Sequence, residues 1–167
     1  MPGVDSEAMT PTAGPAAGNA VWWYPEDHDS GDWVAWANSL PFCRDLGLRC
    51  VEFTAASALF IMDRPALTPN PNGAVNGGIV VAAADQVMGA MTLRVSQQGM
   101  LPATGSLHIQ YHRPALAPIT FRAVPLGGGR RTKFIEVIVE DRYGNRCATS
   151  QGTMIAGGSN VSRGEPD

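Results

Sequence analysis

The run from Ile79 to Val95 is dominated by alanine, valine and methionine, holds no proline, and has one interior glycine, Gly89. It follows the loop Asn70-Pro71-Asn72-Gly73-Ala74-Val75-Asn76-Gly77-Gly78, so the chain is predicted to enter a helix of about six turns at or near the glycine pair. From Ile79 to Ala84 that helix is apolar on every face. A helix of this kind in a folded globular chain is wrapped by other structure rather than laid on a surface. The rest of the sequence must supply the cover, and one acid, Asp85, is expected to be buried with the helix.

Helical spacing gives the neighbours of that acid, because residues three and four positions away share its face. They are Val81, Ala82, Met88 and Gly89, none of which can pair with a charge. An ionised carboxylate without a partner in an apolar site is costly, so Asp85 is a candidate functional residue. The alternative is a structural role, as a loop cap or as the partner of an arginine such as Arg113 from another strand.

A chain of 167 residues, 44% of them hydrophobic, suits one domain with a real core. A net charge of -3 and a pI near 5.5 argue against nonspecific nucleic-acid binding as the main task. Cys43, Cys50 and Cys147 are odd in number and lack metal-binding spacing, so they read as ordinary thiols of a reducing compartment. The longest apolar run is broken by Asp85 and Gln86, so no membrane span is expected. No basic head followed by an apolar core opens the chain, and a cytoplasmic protein is expected.

Taken in order, residues 1–20 are rich in Pro, Gly, Ala and Thr and predict a loosely packed or disordered arm. A single domain is expected over 21–157 and a flexible tail over 158–167. Trp22, Trp23 and Tyr24 need burial against the core, a subunit or a ligand, and His28 lies in an acidic loop. Trp33, Trp36, Ala37 and Leu40 have helical spacing up to the interruption at Pro41. Leu48 to Thr54 and Ala58 to Met62 read as strands.

Beyond the central helix the sequence alternates. Leu107, Ile109 and Tyr111 share one face of a strand, with Ser106, His108, Gln110 and His112 on the other. His108 and His112 are four residues apart, roughly 13 Å along a strand, so they cannot chelate one metal. Further strands follow Pro118, then over Phe134 to Val139 and Cys147 to Ile155, with turns at Gly127-Gly128-Gly129 and Arg142-Tyr143-Gly144-Asn145. The order implies an α+β domain in which one antiparallel sheet of about six strands wraps a single helix.

In that order, the stretch Asn70 to Asp85, Tyr111-His112-Arg113-Pro114-Ala115, Gly129-Arg130 and the turn from Asp141 to Gly144 resemble the hotdog-fold acyl-CoA thioesterases of the 4-hydroxybenzoyl-CoA thioesterase superfamily, phenylacetate-pathway type. The similarity runs from about Phe42 to Ala156. It implies hydrolysis of a coenzyme A thioester to a carboxylic acid and free coenzyme A, with no metal or redox cofactor. Asp85 matches the helix acid that acts as nucleophile or general base. Gly77 matches the amide that polarises the carbonyl, and Asn70 the upstream asparagine. Thr104 falls where a related subgroup places a serine that helps hold the attacking water. Gly78, Met88, Arg113, Arg130 and Arg131 are the expected substrate contacts. Asn76 stands where the family usually has a histidine, and its amide can orient a thioester or water but cannot serve as a base.

Gly77 and Asp85 are eight residues apart, roughly 12 Å along one helix. That is too far to serve one carbonyl carbon, so a homodimer with two composite sites between antiparallel helices is expected. Pairing of dimers into a tetramer is left open. Arg130, Arg131 and Lys133 either meet the coenzyme A phosphates or form an exposed hairpin tip. The methionines, Met88 among them, either line an acyl pocket or fill the core. A non-catalytic acyl-CoA-binding or assembly protein and an acyl-CoA hydratase are the alternatives on the same fold.

Overall fold

The computed structural model describes residues 24–25, 30–64 and 69–158. The expected N-terminal arm, Trp22 and Trp23, His28 with its neighbouring acids, and the tail beyond Gly158 lie outside the described residues. Along the chain come α1 (Ser30–Ser39), α2 (Pro41–Leu46), β1 (Leu48–Phe53), β2 (Ala58–Met62), α3 (Gly77–Val95), β3 (Met100–Tyr111), β4 (Ile119–Gly128), β5 (Thr132–Glu140) and β6 (Arg146–Gly158). The six strands form one antiparallel sheet in the order β1-β2-β4-β5-β6-β3. This is the helix rolled in a sheet that the sequence implies.

Local chemistry accounts for most boundaries. Leu40 precedes a proline and is extended, at φ -66° and ψ 123°, because the ring of Pro41 disfavours a helical residue before it. The helical pattern therefore divides into α1 and α2, with Pro41 opening the second. Gly47 ends α2 in the left-handed region at φ 69°. Trp33 packs edge-on against Trp36 and Phe53, with ring centroids 5.4 Å apart in both pairs. These rings seat α1 on β1 at one end of the core.

The glycine turn is displaced from its expected place. Gly127 and Gly128 belong to β4, beside a bulge between Pro125 and Gly127, and the reversal falls on residues 129–131. At Gly128, with φ 132°, a β-carbon would stand 2.2 Å from the carbonyl oxygen of Thr132, so the strand can close there only on glycine. At the next hairpin the Asp141 carboxylate accepts from the backbone N–H of Tyr143 and of Asn145, both at 2.9 Å. Burial pushes that carboxyl up, but these bonds, the Asn145 side chain and the charge of Arg113 outweigh it and hold it below its ordinary value.

The central helix is covered on one side only. Ile79, Val80, Ala83, Ala84, Val87, Met88, Ala90 and Met91 are buried against the sheet. Gly78, Val81, Ala82, Asp85, Gln86 and Gly89 form a strip along the other side that is partly or fully exposed. Asp85 is thus half-buried, not buried as expected. The sheet curls past α3 and ends at the free edge of β3, and no described element covers the remaining strip. By length and composition α3 would suffice to cross a membrane, contrary to expectation, but 56% of its apolar window is buried in the chain's own fold, as befits a core helix.

Candidate active site

The loop before α3 sets the geometry of its first turn. Asn76 is the N-cap, and its Oδ1 accepts from Gly78 N–H at 2.8 Å. The Asn76 carbonyl accepts from Ile79 and Val80 at 3.0 and 3.1 Å. Its Nδ2 donates to Asn70 Oδ1 at 3.1 Å, which ties the cap to the start of the loop. Both ends of the Asn76 amide are therefore held within the fold. Four backbone N–H groups are left over at the start of any helix. Here Gly78 N–H goes to Asn76 Oδ1 and Ile79 N–H to the Asn76 carbonyl, while Gly77 N–H, between the cap and Gly78, has no partner among the described residues.

Asp85 lies two turns further on, where the open strip of α3 meets the edge strand. The hydroxyl of Thr104 donates to Asp85 Oδ1 at 2.7 Å. A bulge between Thr104 and Ser106 makes this contact possible. Strict alternation would put Thr104 on the outer face with Ser106 and His108; the extra residue, Gly105, turns it toward the helix. Gly105 is confined as well, since a β-carbon there would stand 3.1 Å from the carbonyl oxygen of Thr153. The hydroxyl orients one carboxylate oxygen and leaves the other unclaimed among the described residues.

At its far end β3 returns to the helix start. The Tyr111 hydroxyl donates to the Gly77 carbonyl oxygen in a short hydrogen bond. A β-carbon on Gly77 would lie 3.2 Å from both Cζ and the hydroxyl oxygen of that ring. Sequence reasoning did not single out this residue, because the two partners are 34 positions apart and Tyr111 reads as one more strand aromatic.

The remaining expected site residues divide. Gly78 is exposed, but its amide is occupied by the cap. Met88 is fully buried, and a β-carbon on Gly152 would stand 2.5 Å from its Sδ, so in this chain it fills core. Arg113 is exposed at the end of β3 and acts on Asp141, not on Asp85. Arg130 and Arg131 stand exposed at the tip of the β4–β5 hairpin. His112 Nε2 lies 3.1 Å from Thr149 Oγ1. Among the described residues no three of His, Cys, Asp and Glu converge as a metal site requires. A groove of about 520 Å³ lined by Ser106, His108, Leu126, Phe134, Gln151 and Thr153 occupies the outer face of the sheet and contains none of the expected site residues.

Comparison with known proteins agrees with this fold. The family model described as the thioesterase superfamily matches residues 72–148. The proofreading thioesterase EntH of Klebsiella pneumoniae is 29% identical over 94 residues, 55% of this chain and 69% of that protein. Among solved structures, a thioesterase from Haemophilus influenzae superposes with a TM-score of 0.72 at 18% identity, covering 84% of this chain and 98% of its own. The PaaI protein of the Escherichia coli phenylacetic acid degradation operon gives 0.66 at 19% identity over 74% and 90%. A Streptococcus mutans protein bound to acetyl-CoA gives 0.60 at 20% over 66% and 89%. These structural likenesses concern the hotdog fold.

Proposed function

We propose that the chain is an acyl-CoA thioesterase of the thioesterase superfamily, whose family model matches residues 72–148, and that it works as a homodimer. The observation that carries this is the Thr104–Asp85 pair, an oriented carboxylate half open on the uncovered strip of the central helix. A likeness to the proofreading thioesterase over most of that protein's length supports hydrolysis, and the acetyl-CoA-bound neighbour supports the thioester class.

In this reading the thioester carbonyl oxygen lies against Gly77 N–H, where a free amide at a helix N-terminus favours developing negative charge. Asp85 Oδ2 takes a proton from water as the water oxygen bonds to the carbonyl carbon. When the tetrahedral adduct collapses, the carbon–sulfur bond breaks and the proton passes to the departing thiolate, giving the carboxylic acid and free coenzyme A. The alternative is covalent: an Asp85 oxygen bonds to the carbonyl carbon, the C–S bond breaks to leave a mixed anhydride and the thiolate, and water then hydrolyses the anhydride, freeing the acid and the proton that the thiolate takes. Asn76 serves as cap rather than base, since both ends of its amide are engaged. Asn70 steadies it, and Arg130 and Arg131 meet the coenzyme A phosphates. The acid of one subunit works with the amide of the other, because the two are roughly 12 Å apart along one helix.

The test is thiol release from a panel of aromatic and aliphatic acyl-CoA thioesters by the parent protein and by Asp85→Asn in the same oligomeric state. At least one thioester should be turned over, and the variant should lose about a hundredfold or more of that rate. Binding of acyl-CoA without hydrolysis by either protein would replace the enzyme with a binding module.

A further inference from the structure

We infer that Tyr111 is a positioning residue for the carbonyl-polarising amide, holding Gly77 from the side opposite Asn76 so that Gly77 N–H keeps one direction. This rests on the thioesterase reading above and deepens it.

Two independent features of Tyr111 point at Gly77. Its hydroxyl donates to the Gly77 carbonyl oxygen. Its ring also fills the space a β-carbon of Gly77 would need, at 3.2 Å from the ring carbon Cζ. That distance is tighter than ordinary contact, so with a side chain at residue 77 the ring would have to give by a few tenths of an ångström. The side chain is 49% exposed at the end of an edge strand, and core packing alone does not require its hydroxyl to reach across to α3.

Two peptide groups meet at Gly77. The carbonyl of the first, Asn76 O, accepts from Ile79 and Val80. The N–H of the second, on Gly78, is taken by Asn76 Oδ1, and its carbonyl, Gly77 O, by Tyr111. Three of the four polar groups are fixed, and the fourth is the Gly77 N–H. Tyr111 thus completes a clamp whose one open donor is the amide proposed to meet the oxyanion. Burial pushes the phenol above its ordinary value, so it remains an O–H donor at neutral pH. A donor held in place before the charge develops stabilises the transition state more than the ground state.

The test compares the full-length parent with Tyr111→Phe, which keeps the ring and removes the hydroxyl. On a thioester that the parent turns over, kcat should fall about tenfold, a fraction of the hundred- to thousandfold lost when such a donor is removed outright, with KM within about twofold. A coenzyme A trifluoromethyl ketone, whose hydrate carries its oxygens on a tetrahedral carbon, should bind the variant about tenfold more weakly. A thioether analogue with no carbonyl should bind both proteins equally. Affinity is read per folded molecule, so a variant that folds only in part still answers. Unchanged kcat with unchanged ketone affinity overturns the inference, and so does equal weakening of both analogues, which would make Tyr111 a general binding residue. If the parent hydrolyses no thioester, the underlying reading falls and this one with it; if the parent is active and only the Tyr111 effects are missing, the clamp alone falls.

Discussion

The hydroxyl of Thr104 lies 2.7 Å from Oδ1 of Asp85, and the contact exists because the edge strand carries one extra residue, Gly105, immediately after the threonine. If this bond orients the catalytic carboxylate, Thr104→Ala should lower kcat about tenfold, near the low end of what a hydrogen bond to a charged group is worth. Thr104→Ser should keep most of the parental rate. Steady-state thiol release decides it, and a silent Thr104→Ala would mean that the hydroxyl merely fills the seam.

Asn76 bonds to Gly78 and Asn70 at once, so its removal should act on stability before chemistry. Asn76→Ala is expected to cost about 1 kcal/mol, the usual loss for an N-cap. Asn76→Ser, which caps through its hydroxyl, should recover much of that. Urea unfolding monitored by far-UV circular dichroism gives both numbers. Equal stability of Asn76→Ala and the parent would show that the cap is not needed to hold the loop.

The buried thiols set a further expectation. Burial pushes Cys43 and Cys147 up to about 11 and Cys50 up to about 12, from an ordinary value of 9.0. For Cys147 the nearby carboxylate of Asp141 adds to the rise, and for Cys50 a hydrogen bond to the Glu52 backbone partly offsets it. A thiol raised in the folded state binds its proton there after the unfolded chain has lost it. Its stabilising contribution is therefore complete below pH 9 and is lost as pH rises from 9 toward 11. The urea midpoint should fall over that window, and less steeply in Cys50→Ala. At pH 8 an aromatic disulfide reagent should titrate none of the three until the protein unfolds.

Much of this architecture is legible in the residues themselves. The glycine pair and the unbroken apolar run mark α3, which occupies Gly77–Val95, and alternation marks the strands around it. Legibility ends where long-range geometry overrides local pattern. Asp85 looks buried because its neighbours along the helix are apolar, yet exposure depends on where the sheet stops curling. Thr104 has outward parity until Gly105 inserts a residue, and a sequence shows a glycine without showing whether it bulges. Met88 looks like a site wall because it is one turn from the acid, but it points to Gly152 on β6. Tyr111 meets Gly77 only when the last strand residue before His112 comes back to the helix start.

Gly152 and Met88 make the packing claim testable. Alanine at 152 would bring a methyl group 2.5 Å from Met88 Sδ, and Met88 is fully buried. Overpacking of this sort costs about 1–3 kcal/mol, so Gly152→Ala should lower the thermal midpoint by several degrees. Combined with Met88→Ala, which opens a cavity of its own, the double variant should lose less than the two single losses together, since the pair is in contact and their effects do not add. Strict additivity would mean that the methionine moves aside freely.

The open strip on α3 leads to the last expectation. Val81, Ala82, Asp85, Gln86 and Gly89 are only partly covered by the chain, although three of the five lack a polar side chain and one is the bare backbone of a glycine. A second copy lying antiparallel on this strip would cover it and bring its own Gly77 to the first copy's Asp85. Ala82→Arg places a long cation on the strip, one turn from Asp85 on the same face, so a loss of rate counts for the composite site only in proportion to the monomer formed. The variant should yield a folded monomer by light scattering, with thioester hydrolysis lost in proportion to the missing dimer. Arg122→Glu, on the exposed outer face of β4, should change neither property. If the Ala82→Arg monomer hydrolyses at the parental rate, both groups act within one chain, and the composite site is wrong.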